Sequence, residues 1–411
     1  MLKSPAEFDL LAPNTVENPY PFFASLLREA PVYQLPGTNV YLVASAQLID
    51  SVLQNQDDYS ANLTGILVTG TDGKAELFDL TQFGSAVDAI ANADEPTHSV
   101  HRRLVLPQLT ARKVAAMERE IRDWSQQRIE DFISAGGGDW VTAVADPIPV
   151  LAMSRLVGLP PEDLPQLLKW AFSGGEILAG TTTLEQMVAL GSATADMAGY
   201  LNKQLQQALQ APHKNTSECV LDELVAGIRL KQISEAEAVS IMVVLVGAAG
   251  ESTSSLTGSA VRILAQNSDL QRRLRQQPSL IDAFIEEVVR LESPFKGHYR
   301  VVKRATTLGT ITLPEQARVL LLWSAANRDP DHYAAATSVD LERERPRDHL
   351  GFGRGIHFCV GARLARLEAK IMLEELLVQT SDFQLTADPV HVPSIFVRRL
   401  SQLPLKVSGP A

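Results

Sequence analysis

Phe352-Gly353-Arg354-Gly355-Ile356-His357-Phe358-Cys359-Val360-Gly361 is the stretch on which the reading of this chain turns. Three glycines frame one thiol, and a helix-forming run, Ala362 to Leu377, follows at once. Gly353, Gly355 and Gly361 permit backbone angles and close approaches that a Cβ would block, so the loop can lie flat against a planar group. Backbone N–H groups just after Cys359, at the start of the next helix, can donate to its sulfur. Together with the helix N-terminus they favour a thiolate. A lone cysteine is more often a small core residue, but a core thiol has no need of a glycine frame.

The spacing Phe-x-x-Gly-x-x-x-Cys-x-Gly resembles the haem-binding loop of the cytochrome P-450 family. The resemblance implies a mainly α fold with small peripheral β-sheets, in one large domain over residues 1–411. It implies haem b (iron protoporphyrin IX), with Cys359 as the iron ligand, Phe352 shielding the sulfur and His357 reaching a propionate. Thiolate ligation pushes electron density toward the iron and favours O–O cleavage. The implied activity is insertion of one oxygen atom from O2 into a lipophilic small molecule. A peroxide-driven hydroxylase and a non-catalytic haem-thiolate binding protein are the alternatives.

Composition agrees with that class. The 411 residues are 45% hydrophobic, enough for a large core, and no low-complexity run or charge block divides them. A formal net charge of −11 argues against nucleic acid as a general partner. Cys219 and Cys359 are the only cysteines, and with Cys359 assigned to iron no disulfide framework is left. The N-terminal residues show no signal-like apolar run, and Ala238 to Gly250 is shorter than the roughly 20 residues a bilayer span needs. The expectation is a cytoplasmic protein that does not engage membrane.

Along the chain, a short helix after Asn18-Pro19-Tyr20-Pro21 leads to two strands within 31–43 and a helix over 48–55. Residues 61–92 read as an irregular loop. Helical periodicity covers 96–133 and 141–209, with breaks at Pro160-Pro161 and Gly174-Gly175. Helices over 234–266 and 280–291, strands within 300–322, and a turn-rich meander over 326–349 precede the cysteine loop.

Ser234-Glu235-Ala236-Glu237 is a capping box that opens an apolar helix. Within it lie Glu251, Ser252 and Thr253, an acid followed by hydroxyls that can bond back to helix carbonyls and loosen the helix. The resembled family uses an acid–alcohol pair here to deliver protons toward dioxygen. Glu251 matches the acid. Ser252 stands where threonine is usual, so Thr253 shares the candidacy, and Ala249 replaces a common glycine.

Glu287-Val288-Val289-Arg290 sets an acid and a guanidinium on one helix face and matches the family's Glu-x-x-Arg. Arg343 in the meander matches the third member of that ion-paired scaffold. His98, Arg102, Arg300 and His357 match propionate-binding positions, with Phe352, Gly353 and Gly361 completing the haem contacts. Val244, Gly247, Ala248, Phe295 and Phe396 match pocket positions, under a lid formed by 61–92 and 173–183. Lys296, beside Phe295, reads as a lysine that carries its charge outward to water. Arg102, Arg103, Arg112, Lys113, Arg347, Arg354, Arg363 and Arg366 make a basic face on an acidic protein. That face suits a ferredoxin supplied by an NAD(P)H-dependent ferredoxin reductase, or a flavodoxin.

Overall fold

The computed structural model describes residues 3–80, 87–212 and 216–409. Its axis is the 31-residue helix Glu235–Ala265. The capping box starts it: Ser234 Oγ accepts from the Glu237 N–H at 3.2 Å, and the Glu237 carboxylate accepts from the Ser234 N–H at 2.7 Å. This central helix packs on Pro147–Val157, Leu164–Ala171, Leu184–Gln210, Ile281–Glu292 and Ala362–Gln379. It is long and apolar enough to cross a bilayer by length and composition, but over half of that apolar window is buried inside the protein. Its neighbours supply the apolar surroundings that a membrane helix would take from lipid.

The N-terminal strands join a five-stranded sheet in the order Val32–Gln34, Val40–Val43, Arg318–Leu321, His298–Val302, Tyr59–Ser60. Only the pairing of Val40–Val43 with Arg318–Leu321 is parallel. Strand alternation puts His298 and Arg300 on one face of His298–Val302. A second small sheet pairs Asp382–Leu385, Pro404–Ser408 and Gly137–Asp139.

Two local expectations change. Within 61–92, Gly65–Thr69 and Ala75–Asp79 form an antiparallel hairpin, turned at Gly73 with φ +80°. The glycine- and threonine-rich composition masked the continuous apolar run Ile66-Leu67-Val68, which is buried on both faces of its strand. Residues 81–86 of that stretch lie outside the described residues. The break expected at Gly174-Gly175 falls at Phe172, and both glycines sit inside the short helix Ser173–Ile177. The helices Val220–Arg229 and Ser268–Gln276 are additional.

Candidate functional site

Gly353 and Gly355 adopt φ +68° and +73°, the left-handed region where glycine carries no Cβ penalty. They turn the chain through the tight helical turn Gly355–His357, and the Cys359 N–H closes the loop on the Phe352 carbonyl at 2.9 Å. Gly361 lies at φ −86°, where a Cβ would meet Cys359 Sγ at an ordinary 3.9 Å, so neither angle nor space demands glycine there. Cys359 keeps accessible surface toward an internal cavity while lying deep below the outer surface. That burial pushes its thiol up, while the N–H groups of Gly361 and Ala362 and the charges of Arg366 and Arg102 act in the opposite direction.

The cavity runs from Cys359 to the central helix, where Val244, Ala248, Ser252 and Thr253 line it, with Phe295 on a further wall. Its edge carries His98, Arg102, Arg300 and His357. The rings of His98 and His357 lie 4.3 Å apart. His98 Nδ1 sits 3.2 Å from Glu95, but His98 Nε2 and His357 Nδ1 are buried without a partner. Arg300 is buried, and its Nη1 donates to the Tyr299 carbonyl at 2.7 Å. Unpartnered buried ring nitrogens beside a buried guanidinium are costly unless a polar, charged group joins them. Two haem propionates would supply that need, and the Cys359 thiol on the same cavity would hold the iron. The residues present fit haem.

Ser252 Oγ donates to the Ala248 carbonyl at 2.7 Å, the back-bond expected of a helix hydroxyl. Glu251 does not join it in the cavity. Its carboxylate turns to the outer side of the helix, where Gly175 leaves room for it and Arg399 Nε lies 3.5 Å away. Burial pushes Glu251 up to about 8, against the pull of Arg399. Acid and hydroxyl therefore occupy adjacent residues but different faces.

Beneath the loop, Glu287 accepts from Arg290 Nε and Nη2, both at 2.8 Å, and from Arg343 Nε at 2.7 Å. Arg290 also donates to the carbonyls of Asn327, Ala336 and Ser338, and the Asp340 N–H donates to Glu287 at 2.9 Å. Neither Glu287 nor Arg290 has accessible surface. The Glu287–Arg290 pair thus ties the helix Ile281–Glu292 to the meander, Arg290 at Asn327, Ala336 and Ser338 and Glu287 at Asp340 and Arg343.

Other placements differ from the sequence reading. Gly247 and Phe396 do not line the cavity; Phe396 stands behind Phe295, ring centroids 5.2 Å apart. Lys296 does not reach water. Its backbone is clamped between Phe396 and Ser324, so its side chain runs inward and Nζ donates to the Ser394 carbonyl. Burial pushes that amine down to about 7. His298 was not singled out, yet it borders the cavity, and its Nδ1 accepts from the Trp323 indole at 2.8 Å. Its alternation with Arg300 on one strand was the available signal. Of the basic face, Arg354 pairs with Asp50 and Asp348, Arg347 and Arg366 with Glu286, and Lys113 with the Ser217 carbonyl. Arg103, Arg112 and Arg363 remain exposed, and no bond to any of the three is seen among the described residues.

A cavity-facing cysteine, a donor set for propionates and an apolar chamber define a haem-thiolate site. The family model "Cytochrome P450" matches residues 180–407. "Cytochrome P450 144" of Mycobacterium tuberculosis is 38% identical over 393 residues, covering 96% of this chain and 90% of that protein. The structure of cytochrome P450 CYP109Q5 from Chondromyces apiculatus aligns at TM-score 0.82 with 28% identity, over 98% of each chain. That of CYP109E1 from Bacillus megaterium in complex with testosterone aligns at 0.84 with 25% identity, over 96% and 99%. This chain belongs to the cytochrome P450 family. It is a haem-thiolate monooxygenase of the bacterial kind.

Proposed function

We propose that this protein, acting as one domain in the cytoplasm, uses haem b to hydroxylate a lipophilic small molecule with O2. The observation that carries the reading is the apolar wall of Val244, Ala248 and Phe295 on the same cavity as Cys359. The testosterone bound by the similar CYP109E1 supports a substrate of that character. When bound, haem supplies the oxygen activation and C–H chemistry. The chain's own residues do the rest. Cys359 holds the iron, and His98, Arg102, Arg300 and His357 hold the propionates. Phe295 and Ala248 orient substrate and exclude water. The Ser252 hydroxyl, its hydrogen held by the Ala248 carbonyl, turns an acceptor oxygen to the cavity with Thr253 beside it, and delivers a proton once that back-bond is released. Glu251, neutral at pH 7 by its burial, is the reserve acid on the outer side of the same helix turn.

Electrons enter from a separate carrier. The exposed Arg103, Arg112 and Arg363, in segments next to the thiolate loop by sequence and packing, offer a basic rim for it. A small acidic ferredoxin, reduced by its NAD(P)H-dependent reductase, fits that rim, and a flavodoxin is the second choice. The test is reconstitution with ferredoxin, reductase and a panel of steroids, fatty acids and aromatic hydrocarbons under isotope-labelled O2. A product carrying one labelled oxygen supports the reading. Product from hydrogen peroxide but none from O2 with the electron chain would replace it with the peroxide-driven alternative. Reduction without product would leave a non-catalytic binding protein.

A further inference from the structure

Glu286, the neighbour of the scaffold acid Glu287, has a network of its own. It is buried, and its carboxylate takes a two-pronged bond from Arg366, Nε at 2.6 Å and Nη2 at 2.9 Å. It also faces His349 Nε2 at 2.9 Å and Arg347 Nε at 3.4 Å. The Gly351 N–H donates to His349 Nδ1 at 3.2 Å, so that nitrogen is the acceptor and Nε2 carries the hydrogen given to Glu286. Arg366 in turn lies 4.3 Å over the ring of Phe352. Phe352 accepts the Cys359 N–H. Gly351 through His349, and Phe352 through Arg366, are thus each fastened in one step to one buried acid, and Cys359 is reached through the Phe352 carbonyl.

We infer that Glu286 and Arg366 form a positioning pair that clamps Phe352 behind Cys359 and holds one fixed positive charge beside the iron ligand. Arg366 is spent in this pair, and its side chain is only 22% exposed, so it serves the thiolate and not a docking carrier. The direction of the charge acting on the Cys359 sulfur agrees. The inference rests on Cys359 being the iron ligand.

The test is the equilibrium reduction potential of the holoprotein with Arg366→Met, Arg366→Lys and Glu286→Gln, together with the carbon-monoxide spectrum of each. A cation near the iron stabilises the reduced state. Arg366→Met should lower the ferrous fraction at fixed potential about tenfold, about 59 mV for one electron. Arg366→Lys should recover most of that. Glu286→Gln removes a negative charge and should shift the potential the opposite way. Loosening of the loop alone would move Met and Gln variants in the same direction, which would overturn the inference. So would an unchanged potential in Arg366→Met with slower reduction by ferredoxin, the signature of a docking cation. If Arg366→Met holds no haem, a near-parent potential in Arg366→Lys beside a raised potential in Glu286→Gln still supports the inference, and a lowered potential in Glu286→Gln overturns it. Absence of the thiolate spectrum in the unsubstituted protein would instead refute the ligand assignment itself.

Discussion

Glu287→Ala isolates the scaffold on which the cysteine loop rests. The substitution removes one carboxylate that satisfies Arg290, Arg343 and the Asp340 N–H, and leaves Arg290 charged with no accessible surface. Breaking a buried pair by deleting one partner costs about 3–5 kcal/mol, because the surviving charge stays desolvated. Arg290 keeps its three carbonyl acceptors, which softens the loss and favours the lower end. For 411 residues the unfolding entropy is about 0.9 kcal/mol/K, so the melting temperature should fall by about 3–6 °C, nearer the smaller figure. Haem loading should fall with it, since Arg343 and the meander lead into residues 350–359. The assays are a melting curve and the ratio of haem to protein absorbance after purification. A variant that melts within about 1 °C of the parent and loads haem fully would refute the reasoning, and with it the claim that this ion cluster positions the loop.

Other expectations follow from single groups. Ser252→Ala should raise peroxide released per NADH consumed, and the Ser252→Ala, Thr253→Ala double variant should raise it further; unchanged coupling in both would remove the hydroxyls from proton delivery. Glu251 holds its proton more tightly folded than unfolded, so its stabilising contribution is full below about pH 4.5 and is lost as pH climbs through about 8. Melting temperatures of Glu251→Gln should therefore gain on the parent between pH 5 and 8.5, and parallel curves would contradict the burial argument. Glu286 is opposite in sign: burial raises it, but its bonds to His349 and Arg366 outweigh that and hold it at about 2. Its contribution is full above about pH 4.5 and lost toward pH 2, so acid unfolding should start at higher pH in Arg366→Met. His98→Ala should lose haem to apomyoglobin several-fold faster, an exchange that an unaltered rate would set against propionate contact. Charge reversal at Arg363 or Arg103 should slow ferredoxin-driven reduction and flatten its salt dependence, leaving reduction by dithionite as it was.

Local patterns were readable from the sequence where function imposes fixed spacing on one short segment. The glycine frame of Cys359, the capping box at Ser234 and the Glu287/Arg290 pair each sit within ten residues, and each fixes its own geometry. The helix order followed from apolar periodicity, while the family fold came only from the resemblance carried by the cysteine loop. What escaped depends on distant segments meeting. Glu286 looks like any helix-surface acid until Arg366, 80 residues away, packs on it. His298 acquires its fixed tautomer only because Trp323 arrives from the neighbouring strand's end. Lys296 was read outward because lysine usually finds water, but two backbone clamps oblige its side chain to run inward. Glu251 was paired with Ser252 by adjacency, while a helix turns neighbouring side chains about 100° apart and Gly175 opened room on the other face.

The central claim is that Cys359 binds the iron of a haem held in the cavity. The direct measurement is the carbon-monoxide difference spectrum of the dithionite-reduced protein, recorded beside Cys359→Ser. The account predicts the strongly red-shifted Soret band of a thiolate–haem complex, absent from the variant. A band typical of histidine-ligated haem, or the same band in both proteins, would contradict it.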